Sequence, residues 1–276
     1  MTGSGEWRGR VGDVWAREWR RTDRSFTHLS ARLDAVVAAA APDGVFAALD
    51  IGCGGGGTAL ALLAARADAR IVGIDLSEGL LAVARDRAGA AGVGHRARFI
   101  HGDAALLAVE HGPFDLLVSR HGVMFFPDPR TAFAALHAAA RPDAALVFSC
   151  FRDWRENDFY RLLAEAIDVP PPDPVAPGPF AFADRPRVAA ILAAAGWRDA
   201  SAQPIDFAYR AGEGDAAVDD ATAFLTRIGP AAARMRELPD GDHAALRARV
   251  RAVIAGQAQG DAVDFPAAAW IWTARA

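Results

Sequence analysis

The chain has 276 residues, 52% of them apolar and 23% charged, with a net charge of −4. This is the balance of a folded protein with one large domain, or a core and an attached subdomain; it excludes a disordered chain and argues against nucleic acid or an anionic membrane as partner. All 30 basic residues are arginine, and without lysine there can be no Schiff-base or pyridoxal-phosphate linkage, no Walker-type phosphate loop and no kinase lysine.

Residues 1–42 read as a separate helical segment, with Trp15 and Trp19 one turn apart. From about residue 45 to 150, short apolar runs alternate with helical patterns, the rhythm of parallel strands joined by crossover helices and so of an α/β fold. Strands are predicted at 45–51, 70–75, 97–101, 114–119 and 144–151; runs such as AALVFSCF and FDLLVS are nearly continuous in apolar residues, as strands covered on both faces are. Helices are predicted at 58–66, 77–91 and 128–141, the second capped by Ser77 and the third started by Asp128. The core therefore runs over 43–152. Residues 153–276 then complete the sheet. A helix at 157–167 leads into VPPPDPVAPGP, six prolines in eleven residues that enforce a stiff connector. A helix at 184–195 starts at Asp184 and stops at Gly196. Two strands follow at 202–210 and 267–274, separated by helical stretches at 216–228, 231–238 and 242–257 that read as a cap inserted beside the sheet, about 216–257.

The most informative stretch is ALDIGCGGGGT, residues 48–58, after the first strand and opening the first core helix. Glycines there let the backbone turn tightly and approach a ligand. Gly52, Gly54 and Gly57 satisfy a dinucleotide fingerprint, while Asp50, Gly52, Gly54 and Gly56 satisfy Asp-x-Gly-x-Gly-x-Gly, so an NAD(P)-dependent oxidoreductase and a different nucleoside-binding enzyme compete for one loop. Both readings use Asp75, about twenty residues on, as the acid that accepts hydrogen bonds from ribose hydroxyls. The third strand ends in FIHGDAA, placing Asp103 near an adenine amino group, and the fourth ends in FDLLVSRHGVMFF at the same rim.

These motifs, LDIGCGGGGT, VGIDLS, HGDA and FDLLVSRHGVMFF followed by RPDAALVFSCF, occur in the order and spacing of the class I S-adenosylmethionine-dependent methyltransferases, which the chain resembles over essentially its whole length. It looks most like the small-molecule branch that includes the ubiquinone and menaquinone methyltransferases. The resemblance implies a Rossmann-like, seven-stranded, mostly parallel sheet with an antiparallel last strand and helices on both faces. It also implies S-adenosyl-L-methionine as cofactor, S-adenosyl-L-homocysteine as product, and methyl transfer to a small molecule by in-line displacement. Carried over, Gly52, Cys53, Gly54 and Gly56 line the methionine moiety, Asp50 orders the loop or reaches the amino group through water, and Asp75 takes the ribose. Leu76 lies beside the adenine, with Gly102, Asp103 and Ala104 at its edge, and Ser119 contributes backbone contacts near the sulfonium. Gly57 is a glycine more than the family needs, and Leu76 replaces the aromatic that often packs on the adenine. The short-chain reductase pair Tyr-x-x-x-Lys cannot exist in this chain. A non-catalytic cofactor-binding protein is the remaining alternative.

His121, adjacent to where the methyl should lie, is either a general base or a polar residue of the pocket wall. Arg120 is a substrate-carboxylate ligand or a loop anchor, and Met124, Phe125 and Trp154 are candidate substrate walls beside Phe126. Trp15, with Trp19 and Arg24, can close over the cofactor as a lid. Cys53 and Cys150 show no CxxC spacing, and His95, His101 and His111 share no helix face, so neither a disulfide scaffold nor a metal is expected. The expected setting is the cytoplasm, without signal core or membrane span; the sequence does not determine an oligomeric state.

Overall fold

The computed structural model describes residues 7–276; residues 1–6 of the expected N-terminal segment lie outside the described residues. Among the described residues, α1 (Arg10–Arg17), α2 (Trp19–Ser25) and α3 (Thr27–Ala40) come ahead of the sheet. An alternating core follows, with β1 (Phe46–Ile51), α4 (Gly57–Ala65), β2 (Ala69–Asp75), α5 (Glu78–Ala90), β3 (Ala97–His101), α6 (Ala104–His111), β4 (Phe114–Arg120), α7 (Pro129–Ala138) and β5 (Ala140–Phe151). The remainder comprises α8 (Asp158–Ala166), α9 (Arg185–Ala194), β6 (Arg198–Glu213), α10 (Ala217–Leu225), α11 (Pro230–Glu237), α12 (His243–Ala255), β7 (Ala258–Gln259) and β8 (Ala262–Arg275).

One sheet runs in the order β3-β2-β1-β4-β5-β8-β6, parallel from β3 to β5, with β8 antiparallel to both β5 and β6. This is the expected mostly parallel sheet with an antiparallel last strand, to which the two-residue β7 adds an unexpected eighth member on β8. The last eight residues of β5 are all buried, because helices cover both faces of the sheet. The strand order reverses between β1 and β4, and in such sheets the crevice beyond the carboxyl ends at that point is where ligands lie.

Several boundaries shift for local reasons. The helix α6 was not expected between the third and fourth strands: its Leu106 and Val109 are exposed, so AALLAVEH carries no apolar stripe to announce it, and Asp103 starts it by accepting from Ala105 N at 2.9 Å. The helix expected at 128–141 stops at Ala138, since Ala140 already pairs with Phe114 ahead of a bulge in β5. The strands β6 and β8 outrun their apolar centres, pairing from Arg198–Arg275 to Glu213–Ala262. Asp128 and Asp184 do cap helices, accepting from Thr131 N and Arg187 N. Ser77 likewise caps α5, its Oγ accepting from Leu80 N at 3.3 Å. Ser77→Ala is expected to cost about 1 kcal/mol, read as a melting temperature lower by roughly 2–4 °C; an unchanged melting temperature would show that this bond contributes nothing.

The proline-rich connector is more than a spacer. Phe180, Ala181 and Phe182 are buried in the core, and Gly178 N donates to Met124 O at 3.1 Å, holding the connector against the turn after β4.

Candidate active site

The loop between β1 and α4 turns through left-handed backbone at Gly52 (φ 62°), Gly54 (φ 53°) and Gly56 (φ 77°). Gly52 N and Cys53 N both donate to Ile74 O, at 2.9 and 3.2 Å, so the loop leans on the end of β2. There the Asp75 carboxylate accepts from Gly54 N and Ser77 N, each at 2.8 Å, and Asp50 accepts from Ala59 N at 3.1 Å. The two acids therefore shape the loop that they border. The extra glycine has a steric reason: a Cβ at Gly57 would lie 3.3 Å from both terminal nitrogens of Arg120.

A cavity of about 200 Å³ opens over this loop. Its floor holds Asp50, Gly52, Cys53, Gly54 and Gly55; Asp75 and Leu76 form one wall; Arg120, His121, Met124, Phe125 and Phe151 form the other; Trp7, Trp15, Trp19, Asp23 and Phe26 from the N-terminal segment border it as well. A smaller neighbouring cavity is lined by Gly102, Asp103 and Ala104 and shares Gly52, Asp75, Leu76, Gly122 and Phe125 with the first. Asp75 thus stands at the junction of two chambers. Trp7, Phe26, Phe151 and Pro179 were missed by sequence reasoning, because no local motif relates residues so far apart in the chain. Gly122 was missed too, although it directly follows His121.

Other expected positions lie elsewhere. Ser119 lines neither cavity: its buried Oγ donates to Ile51 O at 2.7 Å and accepts from Gly122 N at 3.2 Å, tying the ends of β1 and β4 together. Gly56 faces away, toward Ala84 and Phe99 of the core. Trp154 is outside both cavities, with Arg155 over its ring. Arg24 contacts Ala211 O and Asp220, linking α2 to β6 and α10. The helices α10 to α12 supply no lining residue; they pack around β6 and α8, so the connector reaches the cavity through Pro179 and the expected cap does not.

The electrostatics follow from burial. Desolvation lifts Asp50 to about 7 despite the attraction of Arg120 and the bond from Ala59 N, and it raises Asp75 against its bonds from Ser77 and Gly54. Asp34 is pushed up to about 6 by burial, again against the pull of Arg120. Burial, with the Arg120 charge beside it, depresses His121 to about 3, so its ring is neutral. Burial also pushes the Cys53 thiol well up, which removes thiolate chemistry from the loop. Arg120 pairs with Asp23 at 2.6 Å and donates to Ser30 Oγ, while Asp23 also pairs with Arg87 at 2.9 Å; the guanidinium of Arg87 lies over Trp19 and donates to Gly55 O. These contacts anchor α2 to the glycine loop. Among the described residues, no three His, Cys, Asp or Glu side chains are grouped to hold a metal, and no helix is long and apolar enough to cross a membrane.

A family described as a methyltransferase domain matches residues 48–143, which contain the glycine loop, Asp75, Asp103 and the end of β4. The chain is 37% identical over 121 residues to a ubiquinone biosynthesis O-methyltransferase of Aromatoleum aromaticum, an alignment covering 43% of this chain and 50% of that protein. The chain thus spans about half the length of this curated relative. The fold has solved counterparts in the YcgJ protein from Bacillus subtilis (TM-score 0.57, 18% identity, 90% of this chain and 98% of that one) and in Haemonchus contortus phosphoethanolamine N-methyltransferase 2 in complex with S-adenosyl-L-methionine (TM-score 0.54, 15% identity, 96% of this chain and 57% of that one).

Proposed function

We propose that this methyltransferase-domain protein is an enzyme that moves a methyl group from S-adenosylmethionine to a small-molecule acceptor. The observation that carries the reading is the junction position of Asp75, whose carboxylate borders both the chamber over the glycine loop and the chamber at Asp103. A nucleoside laid across such a junction puts its sugar at the acid, its base toward Leu76, Gly102, Asp103 and Ala104, and its amino-acid arm over Gly52 and Gly54. A Cβ at Gly54 would meet nothing within 4 Å, so the floor is open there.

When bound, the cofactor supplies an already activated methyl group on a sulfonium. The chain is left with alignment and exclusion of water, both of which lower the barrier without covalent help. Trp7, Trp15, Trp19 and Phe26 bring apolar surface over the site. Arg120, held by Asp23 and Ser30, anchors the wall on which His121, Met124 and Phe125 meet the acceptor. The reading is tested by incubating the protein with labelled S-adenosylmethionine and extract of the source cell, then searching by mass spectrometry for a product heavier by one methyl. Calorimetry is expected to detect binding of S-adenosylhomocysteine but not of a reduced nicotinamide dinucleotide; the reverse pattern would favour a reductase.

Asp50 makes a second test available. With its carboxyl raised to about 7 by burial, it is mostly protonated in the free protein at about pH 6.5, and a cation bound nearby lowers that value and expels the proton. Binding of S-adenosylmethionine near pH 6.5 is therefore expected to release a fraction of a proton, measured as a dependence of the calorimetric heat on buffer ionisation. The release should vanish in Asp50→Asn. Binding without proton release in the parent protein would place the ligand's charge away from this acid.

A further inference from the structure

We propose that His121 presents an Nε2–H donor, oriented by Ser149, to the acceptor, and that the acceptor is a flat apolar molecule whose conjugated oxygen binds there as the anion. The choice of acceptor rests on the methyl-transfer reading above; the state of the histidine does not. His121 follows β4 in left-handed backbone (φ 63°), a conformation that a histidine adopts more readily than most side chains but still seldom. Its N–H donates to Ser149 O at 3.1 Å, continuing the pairing of Arg120 with Ser149, and His121 is one of the residues lining the cavity.

The ring makes one polar side-chain contact, Nδ1 to Ser149 Oγ at 2.8 Å, while Nε2 is buried without a partner. His121 is 7% exposed and Ser149 0%, and among the described residues the Ser149 hydroxyl has no other hydrogen-bond partner. Two neutral forms are possible. If Nδ1 carries the proton, it donates to Ser149 Oγ, and both the hydroxyl proton and the Nε2 lone pair are left unmatched. If Nε2 carries it, the hydroxyl donates to Nδ1, and a single group, the Nε2–H, is outstanding. Buried polar groups are rarely left unsatisfied, so the second form is favoured, and the outstanding donor is available to a ligand. The charged form is disfavoured because the ring is enclosed and lies beside the Arg120 guanidinium.

Phe26 and Phe151 flank this donor with centroids 4.8 and 4.3 Å from the imidazole, and Met124 and Pro179 line the same cavity. Such walls accept a flat apolar body. A hydrogen-bond donor in such a wall holds an oxygen carrying negative charge more strongly than a neutral one, while the Arg120 guanidinium beside it is paired with Asp23. An acceptor held as its anion has no proton to surrender, so His121 need not act as a base, which separates this role from the alternative weighed at the sequence level.

Protein labelled with ¹⁵N-histidine tests the first half directly. Long-range proton–nitrogen correlations distinguish the two neutral forms, and the His121 signals among the seven histidines are identified by their loss in His121→Asn, a replacement that tolerates left-handed backbone. The Nε2–H pattern is expected in the parent protein, with the Nδ1 resonance moving in Ser149→Ala as the unprotonated nitrogen loses the hydroxyl's hydrogen bond. An Nδ1–H or doubly protonated ring in the parent, or an Nδ1 resonance unmoved in Ser149→Ala, would overturn the assignment. For the second half the probe is 4-nitrophenol, whose phenolate has its own absorption. Titrated into protein already saturated with S-adenosylhomocysteine, it is expected to bind as the phenolate at least roughly tenfold more tightly than as the neutral phenol, a preference lost in His121→Asn. Binding as the neutral phenol, or none to protein shown by calorimetry to be loaded, would refute the acceptor class. If S-adenosylhomocysteine itself fails to bind, the cofactor reading is what falls; the histidine spectra stand, and the same titration on free protein decides whether the anion site exists.

Discussion

Replacing Asp75 with alanine is expected to weaken S-adenosylhomocysteine binding by about 1.5–3 kcal/mol, or roughly 10- to 100-fold in affinity. Two losses combine. The ligand's hydroxyls lose a charged acceptor, and Gly54 N and Ser77 N, which the carboxylate receives at 2.8 Å, lose theirs, so the glycine loop is no longer braced against β2. Asp75→Asn separates the two: its amide oxygen can still brace one N–H, so its deficit measures mostly the lost charge. Isothermal calorimetry on both variants gives the numbers. An affinity for Asp75→Ala within about twofold of the parent, below 0.5 kcal/mol, would mean that the acid does not hold the sugar.

Gly122→Ala is expected to destabilise the protein by about 1–3 kcal/mol and to weaken cofactor binding at the same time. The backbone at Gly122 is helical, so the conformation itself accepts alanine. The obstacle is space: a Cβ there would stand 2.7 Å from Ile51 O, 3.0 Å from Ser119 Oγ and 3.1 Å from Gly52 Cα. Two of these three neighbours are backbone at the end of β1 and in the glycine loop, so relief requires the ends of β1 and β4 to move apart. That displaces Gly52 from beneath the cavity and breaks the Ser119 strap. Urea denaturation and cofactor titration should therefore fail together. Gly54→Ala offers a contrast in stability, since its Cβ would enter the open chamber and the folding cost is confined to the left-handed backbone, about 1–2 kcal/mol, while the same Cβ would crowd the ligand's amino-acid arm. Full stability in Gly122→Ala would show that the strand ends separate freely.

Much of the fold is legible in the chain because the parallel strands are short runs rich in apolar residues, nearly continuous in FDLLVS and AALVFSCF, and because caps and stops such as Ser77, Asp128, Asp184 and Gly196 act within a few residues. What escapes is structure without a local signature. The helix α6 shows no apolar stripe because Leu106 and Val109 face solvent, and the outer thirds of β6 and β8 are held by pairing with each other. The candidate site divides in the same way. Asp75 and Asp103 sit at strand ends, where a motif and its spacing are enough to place them, and both border a cavity. Ser119 and Trp154 carry similar expectations from their positions after strands, yet one hydroxyl is spent on tying two strands together and the other ring turns away.

The order of strands and helices, the glycine turn and the acid that follows it are written in the sequence, since they depend on hydrogen bonds and steric limits between near neighbours. The walls of the chamber are a matter of tertiary structure alone. Trp7 reaches it from ahead of α1, Phe26 from the junction of α2 and α3, Phe151 from the end of β5 and Pro179 from the connector, brought together by burial of apolar surface, which acts without regard to distance along the chain. The same holds for the hydroxyl of Ser149, whose contact with His121 exists because β4 and β5 lie side by side in one register.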